Sequence, residues 1–153
     1  MAIKGLASLR RKLRAIPDAA REEIRKAMED AAQEVVNLAR HLVPVEHGDL
    51  RDSIGWTWGE PPRGAIVIAK SRPRRGAKDM RLTIFAGNDK AFYARWVEFG
   101  TASHPNKGKF AGTRHPGTRA QPFFFPAYRA ERKKMKSKVS RAITKAAKKV
   151  AAS

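Results

Sequence analysis

The sequence predicts an α+β domain: a long N-terminal helix and a basic C-terminal helix packed on a small antiparallel sheet of three to four strands. Three observations predict it. Ile24, Met28, Ala31, Val35, Leu38 and Leu42 recur at three- and four-residue spacing, the period of one helix face. Between residues 53 and 86, apolar residues alternate or run in short blocks punctuated by Gly and Pro, the pattern of strands and turns. After Pro122, a looser apolar face (Phe124, Tyr128, Met135, Val139, Ile143, Ala146, Val150) recurs among Lys and Arg. With 153 residues and 42% hydrophobic content, the chain suits one domain with one core, so 1–153 is read as a single unit.

The elements follow in order. Ile3, Leu6, Leu9 and Leu13 predict a short amphipathic helix within 1–16, interrupted by Pro17. The long helix spans 18–43. Asp18, Glu22 and Glu23 put negative charge where the positive end of the helix dipole lies, and Pro44 disfavours helical geometry at Val43. Residues 44–49 read as a turn, in which Gly48 supplies a left-handed backbone. Leu50 and Ile54, four apart, are expected to pack beneath the long helix. The region 53–100 is the sheet region. Ile54, Trp56 and Trp58 alternate with small residues, Ala65 to Ala69 is an apolar run expected to be covered on both faces, and Arg81 to Ala86 forms a third strand. These three are expected to be joined as hairpins. Phe92, Trp96 and Phe99 have helical spacing before Gly100, a helix stop, although a strand remains open. Residues 101–121 are polar, basic and rich in Gly, Pro and His, and are expected to form a flexible loop that orders on assembly. Pro122 opens the last helix, 122–150.

Charge is unevenly placed. The net charge is +19, yet residues 1–60 hold ten basic and ten acidic residues, so all of the excess lies after residue 60. Such asymmetry points to a polyanion or an acidic partner. The cations singled out are Arg72, Arg74, Arg75 and Lys78 on one turn, Lys107, Lys109, Arg114 and Arg119 on the loop, and the Lys/Arg series of the last helix from Arg129 to Lys149. Phosphate contact needs only positive charge, so no base sequence preference is implied.

Chemistry is harder to find. There is no Cys, which removes disulfides, thiolates and Cys-based zinc sites. His41, His47, His104 and His115 lack ligand spacing, so no metal is expected. Gly108-Lys109 fails as a phosphate loop, because Ser103 stands where its first Gly belongs and Phe110 follows the Lys. Asp49 and Asp52 read as caps or solvated acids. No catalytic or cofactor-binding constellation emerges, and the expectation is a protein that is not an enzyme. No apolar run is long enough to span a membrane, and the charged N-terminus is not expected to be a secretory signal.

Three strings occur in order: Gly48-Asp49-Leu50-Arg51-Asp52-Ser53-Ile54, Tyr93-Ala94-Arg95-Trp96-Val97-Glu98-Phe99-Gly100-Thr101, and Gln121-Pro122-Phe123-Phe124-Phe125-Pro126-Ala127. Together, over residues 3–140, they resemble the tail-completion family of long-tailed phages, whose patterns are a Gly-x-Leu-x-x-Ser-Ile turn, a Tyr-Ala-x-x-Val-Glu-Phe-Gly-Thr segment and a Pro-Phe-…-Pro-Ala helix start. The basic 101–119 stretch and tail depart from that pattern. The resemblance implies a virion structural protein, made in the host cytoplasm. It would be a ring subunit, hexameric above all, at the head–tail junction or tail terminus, where it joins or terminates the tail tube. Gene transfer agents use a similar part. Implied partners are further copies of the chain, neck or connector proteins, the tail-tube protein and DNA in the lumen, with no membrane. The candidate subunit interface is Phe92, Trp96, Glu98, Phe99, Phe123, Phe124 and Phe125. Gly48, Leu50, Ser53 and Ile54 are the candidate turn and core motif. The alternative is a non-specific nucleic-acid-binding protein that uses its basic C-terminal half.

Overall fold

The computed structural model describes residues 18–68 and 80–152. The short helix expected within 1–16, and the basic turn with Arg72, Arg74, Arg75 and Lys78, lie outside the described residues. The first helix described, α1 (Asp18–Leu42), buries Ala20, Ile24, Ala31, Ala32, Val35, Val36 and Ala39 along one stripe. Its 25 residues span roughly 37 Å at the usual helical rise. Pro44 follows one residue after its last bonded amide, Val43 to Ala39.

Gly48 then takes the left-handed conformation, with φ +88°, at the head of a single helical turn, α2 (Asp49–Asp52). This turn drives Leu50 and Ile54 into the core beneath α1, as the four-residue spacing predicts. Arg40 fastens the junction from above, donating from Nε and Nη2 to the Ile54 carbonyl at 3.1 and 2.7 Å.

The sheet has three antiparallel strands, β1 (Gly55–Trp58), β2 (Ile66–Val67) and β3 (Leu82–Ala86), in the order β1-β3-β2. Trp56 stands opposite Ile84, and Val67 opposite Phe85. The expected chain of hairpins is corrected at its first link: β3 is central, and β1 pairs with β3 and not with β2. β3 carries the buried Thr83, Ile84 and Ala86, and both neighbours pair with it rather than with each other. The Ala65–Ala69 run, expected to be covered on both faces, instead contributes a two-residue edge strand whose side chains are half-buried. Trp56 and Trp58 face α1, where their indole N–H groups donate to Gln33 and Glu29 at 3.0 and 2.9 Å.

The ambiguous segment is helical: α3 (Ala94–Phe99), stopped by Gly100, whose N–H bonds to the Trp96 carbonyl. Residues 101–118, expected to lack regular structure, fold back as a ribbon. Its strands are β4 (His104–Pro105) and β5 (Arg114–His115), with a short 3-10 turn at Gly108–Phe110. Thr101 and Thr118 close its base with reciprocal backbone bonds at 3.0 and 3.1 Å and a hydroxyl pair at 3.0 Å. Glycines make this return possible: a Cβ on Gly100 would lie 2.6 Å from the Thr118 carbonyl oxygen. Polar composition predicts a loop, but here the backbone groups of Thr101 and Thr118, and of β4 and β5, satisfy one another across the ribbon.

The last helix, α4 (Phe124–Ala152), runs antiparallel to α1. Ion pairs mark the direction: Glu34 meets Lys134 and Lys138, whereas Glu23, three turns earlier on α1, meets Lys145 and Lys149. The main core lies where α1, α2, the sheet and the first turn of α4 converge, and a satellite of Ala20, Ile24 and Ala146 joins the far ends of the two helices. The fold is thus α+β, with a long N-terminal helix, a C-terminal helix and a small antiparallel sheet.

Candidate assembly surface

α3 has two faces with different work. Its inner face carries Glu98, which is 3% exposed. The carboxylate accepts the backbone N–H groups of Phe123 and Phe124 on Oε2, both at 2.9 Å, and that of Phe125 on Oε1 at 3.1 Å. Residues 121–123, ahead of α4, are Gln-Pro-Phe and include none of the preferred capping side chains, so the cap comes from another helix. A carboxylate here also meets the positive end of the α4 dipole. Gln121 N–H bonds to the Val97 carbonyl at 2.8 Å, so α3 and the start of α4 form one hydrogen-bonded node.

That node corrects three interface expectations. Both Glu98 oxygens are bonded to the backbone at the head of α4, and the residue is buried. Phe123 and Phe124 are fully buried and anchor the node in the core. The first turn of α4 lies under the sheet and α1, and there is room inside for two of the three aromatics. Phe125 is half-buried and leans on Phe99, with ring centroids 5.7 Å apart.

The outer face of α3 is apolar and open. Phe92, in the turn ahead of α3, and Trp96 and Phe99 on it are 55%, 49% and 58% exposed. Phe92 and Trp96 meet edge to face at 5.4 Å. Trp96 also borders a concavity with Thr101, Ala102, His104, His115 and Thr118 at the ribbon base. His104 and His115 stack at 5.0 Å across the ribbon, and Phe110 stands exposed at its tip. Large aromatics left in water beside a polar ribbon are the composition of a protein–protein contact.

The turn motif proves structural. Ser53 is buried, donates to the Leu50 carbonyl at 2.7 Å and accepts the Gly87 N–H at 3.1 Å, so it ties α2 to the end of β3. Sequence reasoning placed Ser53 in a motif without assigning it this bond. The role of Glu98 as a remote cap was also missed. Its signals were an isolated acid in a basic region and a Pro-Phe helix start with no cap of its own.

The cations fall into groups. Lys107, Lys109, Arg114 and Arg119 are exposed on or beside the ribbon, with Arg114 donating to Ser103. Four lysines of α4 are committed to α1. Lys145, and after it Lys149, hold the Glu23 carboxyl well below its ordinary range, at about 2. Lys138, with Lys134, likewise lowers Glu34. Among the described residues no group of three or more His, Cys, Asp or Glu is placed to hold a metal. No described helix is long and apolar enough to cross a membrane. An open groove of about 440 Å³ between α1, the sheet and α4 is lined by Met28, Ile68, Leu82, Tyr128, Met135 and Val139, among others, with no acid–base group apart from Lys136 and the phenol of Tyr128.

A small α+β fold that leaves large aromatics exposed at a short helix beside a ribbon has the surface composition common in proteins that assemble with others. Comparison with known families identifies which. A family model described as "Bacteriophage HK97-gp10, putative tail-component" matches residues 7–100, and the chain belongs to this HK97-gp10-like family of phage tail components. The match takes in the Gly48–Ile54 motif and α3, and ends where the ribbon begins. No curated protein and no solved structure matches the chain. The role is accordingly that of a virion structural protein among other phage structural proteins.

Proposed function

We propose that the chain is a ring subunit at the head–tail junction or tail terminus, where it joins or terminates the tail tube by binding and not by turnover. The observation that carries this reading is the exposed pair Phe92, in the turn that opens α3, and Trp96, continued by Phe99, on a helix whose other face is locked to α4 through Glu98. The aromatics are thus held on a rigid element rather than a loose loop, which reduces the entropy lost on docking. Neighbouring copies would meet through this ridge and the ribbon base, and a hexamer is the expected closed form. The ribbon, with Phe110 at its tip, would reach the adjoining neck or tube protein.

Sedimentation of the full chain, alone and mixed with its tail-tube protein, tests the proposal. Wild type is expected to form a closed oligomer in one of the two conditions. Phe92→Ala/Trp96→Ala should stay monomeric with an unchanged helix spectrum. A wild-type chain that is monomeric in both conditions would defeat the ring reading. The second reading, a free-standing nucleic-acid-binding protein, is favoured by the unpaired cations of α4. It would gain if that same monomer bound duplex DNA tightly.

A further inference from the structure

The ten cations of α4 face only one acid on the same helix, Glu131. α1 sorts them. Glu23 and Glu34 take Lys134, Lys138, Lys145 and Lys149, all on one flank. On the other flank Arg129, Arg132, Lys133 and Lys136 are exposed, and none has a carboxylate partner among the described residues. Helical spacing makes them a closed quadrilateral. Arg129–Lys133 and Arg132–Lys136 are four apart, and Arg129–Arg132 and Lys133–Lys136 are three apart. Every neighbouring pair is like-charged, and such pairs destabilise a helix. The arrangement therefore weakens the isolated fold, in contrast to the four lysines that join α4 to α1.

We propose that this quadrilateral is a binding site for the phosphate backbone of duplex DNA. A polyanion relieves all four repulsions at once. Four cations along about 10 Å of helix match a few successive phosphates. Beyond them the outward face continues as Ser137, Ser140, Arg141, Thr144 and Lys148, which are hydroxyls and cations with no acid. Hydroxyls and cations are the groups that contact DNA phosphates. The face carries no aromatic anchor of the kind that dominates protein interfaces, which favours nucleic acid over an acidic protein. The proposal stands whether or not the chain forms a ring. In a ring it would put this flank of α4 towards the DNA path.

The test uses the full-length protein, a fluorescent duplex of mixed sequence and a salt titration. Arg129→Gln/Arg132→Gln/Lys133→Gln/Lys136→Gln is compared with a ribbon variant of equal charge loss, Lys107→Gln/Lys109→Gln/Arg114→Gln/Arg119→Gln. The helix variant is expected to bind at least ~10-fold more weakly and to lose about 3 to 4 units of the log–log salt slope. The ribbon variant should lose clearly less. Without DNA the helix variant should melt at or above the wild-type temperature, because repulsion has been removed. Equal losses in the two variants would reduce the effect to net charge and overturn the proposal, as would wild type that fails to bind the duplex. Poly-glutamate bound as tightly as duplex, with the same dependence on the four residues, would overturn the choice of nucleic acid. A lower melting temperature would show that the four cations hold the fold together.

Discussion

Substituting Glu98 tests the node that connects the interface helix to the last helix. In Glu98→Ala, three backbone N–H groups at the head of α4 lose their acceptor, and two of them belong to fully buried residues. A buried donor left unsatisfied costs about 1–3 kcal/mol. The negative charge at the helix dipole adds about 0.3–1 kcal/mol, and more when partly buried. The terms are not additive and the chain relaxes, so about 3–5 kcal/mol is the expected loss, a large share of the stability of an ordinary domain. Glu98→Gln keeps one good acceptor oxygen but turns an amide N–H₂ towards the remaining donor, and about 2 kcal/mol is expected. Urea unfolding followed by helix ellipticity measures both. It should be run at two protein concentrations, because assembly would add its own stabilisation. The order wild type, Gln, Ala should hold at both. If the two variants fall within about 0.5 kcal/mol of wild type, the range of an ordinary surface change, the capping argument is refuted.

Further outcomes can be checked on the same protein. The Glu23 carboxyl is held at about 2 against an ordinary 4.5, first by Lys145 and then by Lys149. Its folded-state value is depressed, so its contribution is present above the ordinary value and is lost as pH falls from about 4.5 towards about 2. Thermal melts across that window should show a shallower pH dependence in Glu23→Gln than in wild type. An identical slope would contradict the pairing, and added salt should flatten both because the pair is partly exposed. Ser53→Ala strands the buried Gly87 N–H and should cost about 1–3 kcal/mol in chemical unfolding. Gly100→Ala forces a Cβ to within 2.6 Å of the Thr118 oxygen at φ +70°, so it should raise amide exchange across the Thr101–Thr118 bridge. Unchanged protection there would show that the base accommodates the added methyl without opening, and would refute the close-approach argument.

Much of the secondary structure was legible because its signals are local. The α1 stripe, the Pro44 stop, the Gly48 turn and the Gly100 stop each depend on spacing or on one residue's backbone preference. The motif strings carried the family. What was illegible depended on partners distant in the chain. Strand order is one case, because the period of β1, β2 and β3 says which residues share a face and nothing about which strand is central. The ribbon is another, since its Gly, Pro and His content reads as loop until Thr101 and Thr118 are seen to pair. The site residues divide in the same way. Phe92, Trp96 and Phe99 stand exposed, while Phe123 and Phe124, named with them as interface candidates, are buried in the core.

The basic, two-helix α+β character of this chain, and its belonging among phage tail components, were determined by the sequence alone, through periodicity, charge balance and three short strings. Which charges are free, and which aromatics face outward, was decided only by tertiary structure. Glu23 and Glu34 pair the lysines of one flank of α4 from a hundred residues away or more, and Glu98 reaches 25 residues ahead to cap its start. The physical reason is the same in each case. A carboxylate's partner is set by which backbone or ammonium groups the fold brings within 3 Å, and a one-dimensional pattern does not contain that distance.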